Sequence, residues 1–180
     1  MNLRLLIFIP VALVQLSVPA WMIHSQENIL KHGRVFKFKT EPVDPYDALR
    51  GRYISLRFAA ETNDAVGHKG VYGSNQKLWV QFETDGKGFA KVKKVSVAPL
   101  TGDDVVETGC DWNGLEFPFD RYYTDEEDAP RAETAYFDNS RRNHDNAYAT
   151  VRILDGHAAL EELYIDDKPI REFLRTDSKK

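Results

Sequence analysis

An apolar segment near the amino terminus constrains this chain most strongly. Residues 5–23 carry no formal charge and are bounded by Arg4 and His24. A helix of about nineteen residues, rising about 1.5 Å per residue, just crosses a hydrocarbon core of roughly 30 Å. We therefore predict two parts: an amino-terminal membrane anchor or signal segment, residues 1–24, and a globular domain, residues 33–175.

The apolar segment has two possible fates, retention as an anchor or removal as a signal peptide. Val18 and Ala20 are the small residues that would precede a cleavage site. Pro19 between them and the bulky Trp21 after them make that site a poor one, and Trp21 suits the membrane interface. The sequence favours a retained, single-pass transmembrane helix, with a cleaved signal peptide as the alternative.

Charge and cysteine content exclude some classes of partner and site. The formal net charge is -4, so the chain has no surplus of basic residues to neutralise phosphates, and a nucleic-acid partner is not expected. Cys110 is the single cysteine, which excludes an intrachain disulfide and a zinc site built from several thiolates.

Alternating apolar residues predict a mainly β domain. Phe36 and Phe38 alternate with lysines, and Leu78, Val80 and Phe82 alternate with polar or amphipathic residues. Residues 84–88, rich in Gly and Asp, then predict a hairpin turn. In the return strand the apolar phase shifts at Lys93 and Lys94, which indicates a β-bulge.

The second half of the chain continues this pattern. Residues 115–123 alternate as one strand, and Pro118 inside it argues for a sheet edge. A short helix is predicted over residues 129–137, and a final hairpin turns at Asp155 and Gly156 between residues 147 and 165. The predicted fold is a single antiparallel β-barrel or sandwich-like domain with one short helix, preceded by the transmembrane helix.

A proline-rich turn leads into the most distinctive strand. Residues 42–58 read PVDPYDALRGRYISLRF, with Gly51 at the junction of turn and strand. In the strand Ile54, Leu56 and Phe58 share one face, because side chains alternate between the two faces. Two arginines flank Gly51. Arg50 and Arg52 could clamp a carboxylate or phosphate, or pair with the acidic residues of the same turn, Asp44 and Asp47, which we favour.

The segment GRYISLRF, residues 51–58, resembles the signature of the GDYXXLXY proteins. Arg52 stands where that signature has Asp, and Phe58 replaces its last Tyr. The motif residues carried over by the resemblance are Pro42, Asp44, Pro45, Arg50, Gly51, Tyr53, Leu56 and Phe58. The resemblance implies a membrane-anchored protein of the inner membrane, with a periplasmic domain and a multi-pass membrane protein as its neighbour. It implies no particular activity.

The orientation of the domain is predicted against one general rule. Lys31, Arg34 and Lys37 lie after the apolar segment, whereas the short amino-terminal tail offers Arg4 and the α-amine. A count of nearby positive residues would therefore leave the domain in the cytoplasm. An early apolar segment after a very short tail normally exports the domain attached to its carboxyl end, and the family resemblance implies the same, so we predict an extracytoplasmic domain.

A second, fainter resemblance is to the signal peptidases, which also join an amino-terminal anchor to a β-rich domain. Lys93 falls at the position of the family's lysine base, but Val43 stands where its nucleophilic serine is expected. Without a hydroxyl, a lysine base has nothing to activate. The resemblance therefore informs the fold and argues against peptidase activity, and a solvated Lys93 on an edge strand is the favoured interpretation.

Metal and cofactor sites are not predicted. The acidic run of residues 125–128 lacks the spacing of a calcium loop and is typical of a helix start. His144, Asp145 and His157 could approach each other, but they lack the spacing of a zinc site.

The sequence is consistent with two classes of function. The favoured one is a non-catalytic, membrane-tethered extracytoplasmic module that associates with an integral membrane partner. The alternative is a diverged membrane-bound hydrolase or peptidase with a signal peptidase-like fold, using another serine or the pair His144 and Asp145.

Overall fold

The computed structural model describes residues 3–41, 53–62, 76–111, 114–125, 127–140 and 146–177. Its helices are α1 (Leu3–His32), α2 (Ala129–Ser140) and α3 (Ile170–Asp177), with one 3-10 turn at Ala59–Glu61. The strands are β1 (Arg34–Glu41), β2 (Tyr53–Ser55), β3 (Arg57–Phe58), β4 (Leu78–Thr84), β5 (Ala90–Ser96), β6 (Val105–Asp111), β7 (Gly114–Glu116), β8 (Arg121–Tyr123), β9 (Ala147–Leu154), β10 (His157–Ile165) and β11 (Lys168–Pro169). The predicted mainly β, antiparallel fold is confirmed.

Helix α1 contains the apolar segment and continues beyond it. Within the described residues it is the one helix long and apolar enough to cross a membrane, and its apolar side chains lie on the surface of the protein. It therefore fits a single-pass membrane anchor. Pro10 and Pro19 lie inside it, as membrane helices tolerate. Its last turns leave the surface: Ile29 is buried, and the backbone N–H of Gly33 donates to Ile29 O at 2.8 Å.

The larger sheet has five strands in the order β11-β10-β9-β1-β3, all antiparallel. Helix α1 leads directly into β1, which pairs with β9 over six residue pairs from Arg34 to Lys39. The predicted final hairpin is confirmed as β9 and β10, and both turn residues, Asp155 and Gly156, have positive φ. This is the geometry of a tight hairpin turn, which an Asp-Gly pair adopts readily.

The smaller sheet has four antiparallel strands in the order β5-β4-β6-β7. The predicted bulge is confirmed: Gln81 pairs with Lys94 and Phe82 with Val92, so Lys93 is the additional residue. Bridges at several points hold the two sheets together as a half-barrel. In one of them the backbone N–H of Glu107 donates to Gly156 O at 3.0 Å.

The signature strand changes partner along its length. Its first part, β2, pairs with β8 in a two-stranded ribbon, and its last part, β3, pairs with β1 at the edge of the larger sheet. Between them Leu56 N–H donates to Asp120 O at 2.7 Å. The single strand predicted over residues 115–123 is wrong. It forms β7 and β8, separated by a turn at Pro118 and Phe119, because proline cannot donate a ladder hydrogen bond.

Five phenylalanine rings form the centre of the core. Phe38 and Phe58, each 0% exposed, are 5.5 Å apart between ring centroids, and Phe82 lies 5.0 Å from Phe38. Phe117 and Phe119, from the turn between β7 and β8, stack on each other at 5.1 Å and contact the same cluster. The core therefore joins both sheets and the signature strand.

Two short helices, α2 and α3, pack on the domain, whereas the sequence predicted one. The predicted helix is α2, which buries Ala132 and Tyr136. The additional helix is α3, which buries Ile170 and Leu174. It lies next to α2, and the Arg131 guanidinium donates to Leu174 O at 3.0 Å. Helix α3 has eight residues, and so short a helix has too few periodic positions to be distinguished from an irregular carboxyl-terminal tail by sequence.

Candidate functional site

A cleft of about 440 Å³ lies beside the signature strand, where the edges of the two sheets face each other. We call it the seam cleft. Its apolar floor consists of Leu56, Leu115 and Phe117, and its polar walls consist of Ser55, Arg57, Glu61, Thr62, Asp111, Glu116 and Asp120. Strand β3 and the residues after it form one side of the cleft and β7 forms the other, and an isolated antiparallel bridge between Thr62 and Gly114 connects the two sides. The cleft therefore occupies a gap in the half-barrel.

Glu61 is the most perturbed carboxyl among the described residues. It is half-buried at the end of the 3-10 turn and accepts hydrogen bonds from the backbone N–H groups of Phe58, at 3.1 Å, and Phe117. Burial raises the pKa of Glu61 to about 7, although those two bonds and the nearby Arg57 oppose the rise, and Asp120 adds to it. A carboxyl with a pKa near 7 can hold or release a proton at neutral pH.

The outer face of the β2–β8 ribbon adjoins this cleft. Tyr53 pairs with Tyr123 across the ribbon, and their rings lie 5.8 Å apart. The Arg121 guanidinium lies 5.1 Å from the centre of the Tyr53 ring, and Tyr123 is 64% exposed. Ser55 belongs both to this face and to the cleft wall, so the two surfaces are continuous.

A second pocket, of about 280 Å³, lies where α1 meets the domain. Ser25, Gln26 and Ile29 of the helix line it together with Pro118 and residues at the start of β10. Pro118 comes directly after Phe117, which lines the seam cleft. The turn between β7 and β8 therefore borders both pockets. The seam cleft itself lies towards the far end of β1, because β3 pairs with β1 at Thr40 and Glu41, seven and eight residues after Gly33.

The structure describes part of the predicted site. Leu56 and Phe58 are buried, Ile54 is buried beside them, and Tyr53 is half-buried on the opposite face, so the predicted alternation is confirmed. The other predicted site residues lie outside the described residues: Pro42, Asp44, Pro45, Arg50, Gly51 and Arg52. Val43, His144 and Asp145 lie outside them as well.

Lys93, the candidate base, is exposed at the bulge of β5. The neighbouring Lys91 pairs with Glu83 at 3.1 Å between Nζ and Oε1. Three of the described serines donate hydrogen bonds to backbone carbonyls near them in sequence: Ser17 to Val14, Ser96 to Ala98 and Ser140 to Phe137. Lys93 is thus exposed to solvent, on a strand that contributes no residue to the lining of the seam cleft.

In the described ranges, no group of three or more His, Cys, Asp or Glu side chains is arranged to hold a metal ion. The acidic residues before α2 begin that helix: Asp125 O accepts the backbone N–H groups of Asp128 and Ala129. His157 is exposed at the start of β10.

Sequence analysis missed the seam cleft and Glu61 within it. The walls of the seam cleft come from two segments that are distant in sequence. One comprises β2, β3 and the 3-10 turn that follows them, and the other comprises β6, β7 and the turn after β7. The one local signal was a glutamate three residues after the last residue of the signature, Phe58, the spacing at which a side chain can accept that residue's N–H.

The comparisons with known proteins give one match. The model of the GDYXXLXY protein family matches residues 15–163, which include α1 from Gln15, the signature and most of the domain. No curated protein and no solved structure matches the chain, so the fainter resemblance to signal peptidases stays a prediction. With most of its length matched, the chain belongs to the GDYXXLXY protein family.

Proposed function

We propose that this protein is a non-catalytic, membrane-tethered module that holds its β domain at the extracytoplasmic face of the inner membrane and associates there with an integral membrane partner. The observation that carries this proposal is the direct passage from α1 into β1. The helix has an exposed apolar span, and its last turn is packed into the domain through Ile29.

This passage limits how far the domain can be from the membrane. Ile23 ends the apolar segment, and Ile29 lies six residues later in the same helix, about 9 Å along its axis. Gly33 closes the junction, and the Arg152 guanidinium donates to its carbonyl at 3.3 Å. A domain joined in this way stays next to the bilayer, where a membrane-embedded partner is within reach.

Labelling and capture together test the proposal. In spheroplasts of cells that express the full chain as Lys87→Cys, a membrane-impermeant maleimide should label an extracytoplasmic domain. The unmodified chain is the control, because its Cys110 is buried. Purification of the tagged chain from solubilised membranes should then recover an integral membrane protein in comparable amount. Absence of labelling would contradict the predicted side, and absence of such a protein would contradict the predicted association.

A hydrolase is the second candidate, and Glu61 is the observation that favours it. A half-buried carboxyl in a cleft, with a pKa of about 7, suits a general acid or base. The exposed Lys93 gives the peptidase form of this candidate no support. We expect the full chain in detergent to leave signal-peptide substrates intact. Specific cleavage that is lost in Lys93→Ala, or in Glu61→Gln, would favour the hydrolase instead.

A further inference from the structure

We propose that the seam cleft and the exposed ring of Tyr123 at its rim form the docking surface for an extended, arginine-containing segment of the integral membrane partner. This inference rests on the proposed function, because it assigns the surface and the chemistry by which the partner would be recognised.

The shape of the cleft suits a polypeptide segment with long side chains. Its volume, about 440 Å³, lies in the usual range for sites that enclose a ligand, roughly 300–1,000 Å³. Leu56, Leu115 and Phe117 form a floor on which the aliphatic stem of an arginine could pack while its guanidinium stays at the polar wall. Two sheet edges, β3 and β7, border the cleft and favour an extended backbone between them.

The charge of the wall identifies the partner as cationic. Glu61, Asp111, Glu116 and Asp120 contribute carboxyl groups, and Arg57 is the cation in the lining. Arg121, outside the lining, lies 3.7 Å from the Asp120 carboxyl, so the carboxyl groups still outnumber the cations. Glu61 is half-buried, and burial of its negative charge outweighs the two backbone N–H groups and the nearby Arg57 that stabilise it, so a further cation would stabilise the charge. The upward shift of its pKa, caused first by burial, agrees with a carboxyl that lacks a sufficient counter-charge in the absence of a partner.

The rim supplies the kind of aromatic contact that anchors protein interfaces. Tyr123 is 64% exposed, which is unusual for a large aromatic side chain on a strand. On the same face the Arg121 guanidinium contacts both tyrosines: its carbon lies 5.1 Å from the centre of the Tyr53 ring, and it donates a hydrogen bond to the Tyr123 hydroxyl. Tyrosine and arginine are enriched among the residues that dominate binding energy, and a partner arginine can use the Tyr123 ring in the same way.

The position of the cleft fits an extended segment of the partner. Strand β3 pairs with β1 at Thr40 and Glu41, seven and eight residues beyond Gly33, so the cleft lies about 25 Å from the junction with α1, measured along β1. An extended segment of about eight residues that leaves a neighbouring membrane helix spans this distance.

A peptide titration tests this surface. The full chain is reconstituted in nanodiscs of phosphatidylcholine, whose neutral surface does not attract cationic peptides, and a dye-labelled peptide that alternates arginine with valine and serine is titrated by fluorescence anisotropy. We expect saturable binding below millimolar concentration, and no binding of the same peptide with glutamate in place of arginine. The double variant Glu116→Gln/Asp120→Asn should bind about tenfold more weakly, and Tyr123→Ala about fivefold more weakly.

The matched control is Glu133→Gln/Asp138→Asn, which removes two exposed carboxylates from α2 and should bind like the unmodified chain. Equal binding by the cleft variant and the control, or no binding by the unmodified chain, would overturn the proposal. Capture of the partner from membranes distinguishes a failure of the docking surface from a failure of the proposed function. A partner recovered equally with the unmodified chain and the cleft variant contradicts the docking surface alone, whereas a partner recovered with neither contradicts the association itself.

Discussion

The Glu61 carboxyl accepts the backbone N–H of Phe58 at 3.1 Å, and it also accepts the N–H of Phe117. Phe58 ends β3, at the edge of the larger sheet, and Phe117 comes directly after β7, at the edge of the smaller one. One side chain thus joins two strands that do not pair in a ladder. The seam between the sheets is stabilised by a titratable group, and its stability should depend on pH.

The first prediction concerns this pH dependence. The pKa of Glu61 is about 7 in the folded protein and about 4.5 when unfolded, so the folded state binds the proton more tightly. The contribution of the protonated Glu61 side chain to the free energy of unfolding is complete below about pH 4.5. It falls as the pH rises from there to 7, and it is lost above 7. Relative to Glu61→Gln, the free energy of unfolding should fall by about 3 kcal/mol over this range, measured by denaturant unfolding in detergent.

Glu133→Gln is the control for this measurement, because Glu133 is exposed on α2. Its unfolding free energy should match that of the unmodified chain at every pH. If Glu61→Gln also matches the unmodified chain, the carboxyl of Glu61 titrates in the folded protein as it does in water, and the seam carries no pH dependence.

The second prediction concerns Gly33, where α1 passes into β1. A methyl group at this position would lie 2.6 Å from Ile29 O and 3.1 Å from Ile153 O, both backbone atoms that cannot easily move. Gly33→Ala should therefore destabilise the domain by about 1–3 kcal/mol. Gly86→Ala is the matched control, since nothing lies within 4 Å of the added methyl group. Equal thermal melting of the two variants would show that the junction tolerates a side chain.

The third prediction concerns Phe58, the last residue of the signature. Its ring is 0% exposed and lies 5.5 Å from the ring of Phe38 and 5.3 Å from that of Phe119. Phe58→Ala should lower the free energy of unfolding by about 3–5 kcal/mol, because it leaves a cavity at the centre of the core. Val97→Ala, at a position 51% exposed, should change it by less than about 0.5 kcal/mol. A loss below about 1 kcal/mol for Phe58→Ala would mean that the core closes around the smaller side chain.

The fourth prediction is that the apolar segment is retained in the mature protein. Trp21 lies near the end of the uncharged segment, residues 5–23, a position typical of a tryptophan at a membrane interface, and α1 continues without a break to His32. Intact-mass measurement of the protein purified from its native membrane should give the mass of a chain that includes residues 5–23. A chain that begins at Trp21 would show that the segment is a cleaved signal peptide.

Local patterns determined much of this structure. The alternation of Ile54, Leu56 and Phe58, the bulge at Lys93 and the Asp155-Gly156 hairpin could all be predicted, because each depends on the conformational preferences of a few neighbouring residues. The long apolar helix could be predicted for the same reason, since its length and lack of charge are local properties.

Only the tertiary structure decided which strands meet. The signature strand pairs first with β8 and then with β1, and Glu61 meets Phe117 across 56 positions of sequence (117 − 61). Pairing of this kind depends on the packing of the phenylalanine core and on loop closure, and neither appears in a short window of residues. The sequence by itself thus determined the apolar helix, most of the strands and the signature, whereas the seam cleft exists because two sheet edges that are remote in the chain stop short of each other.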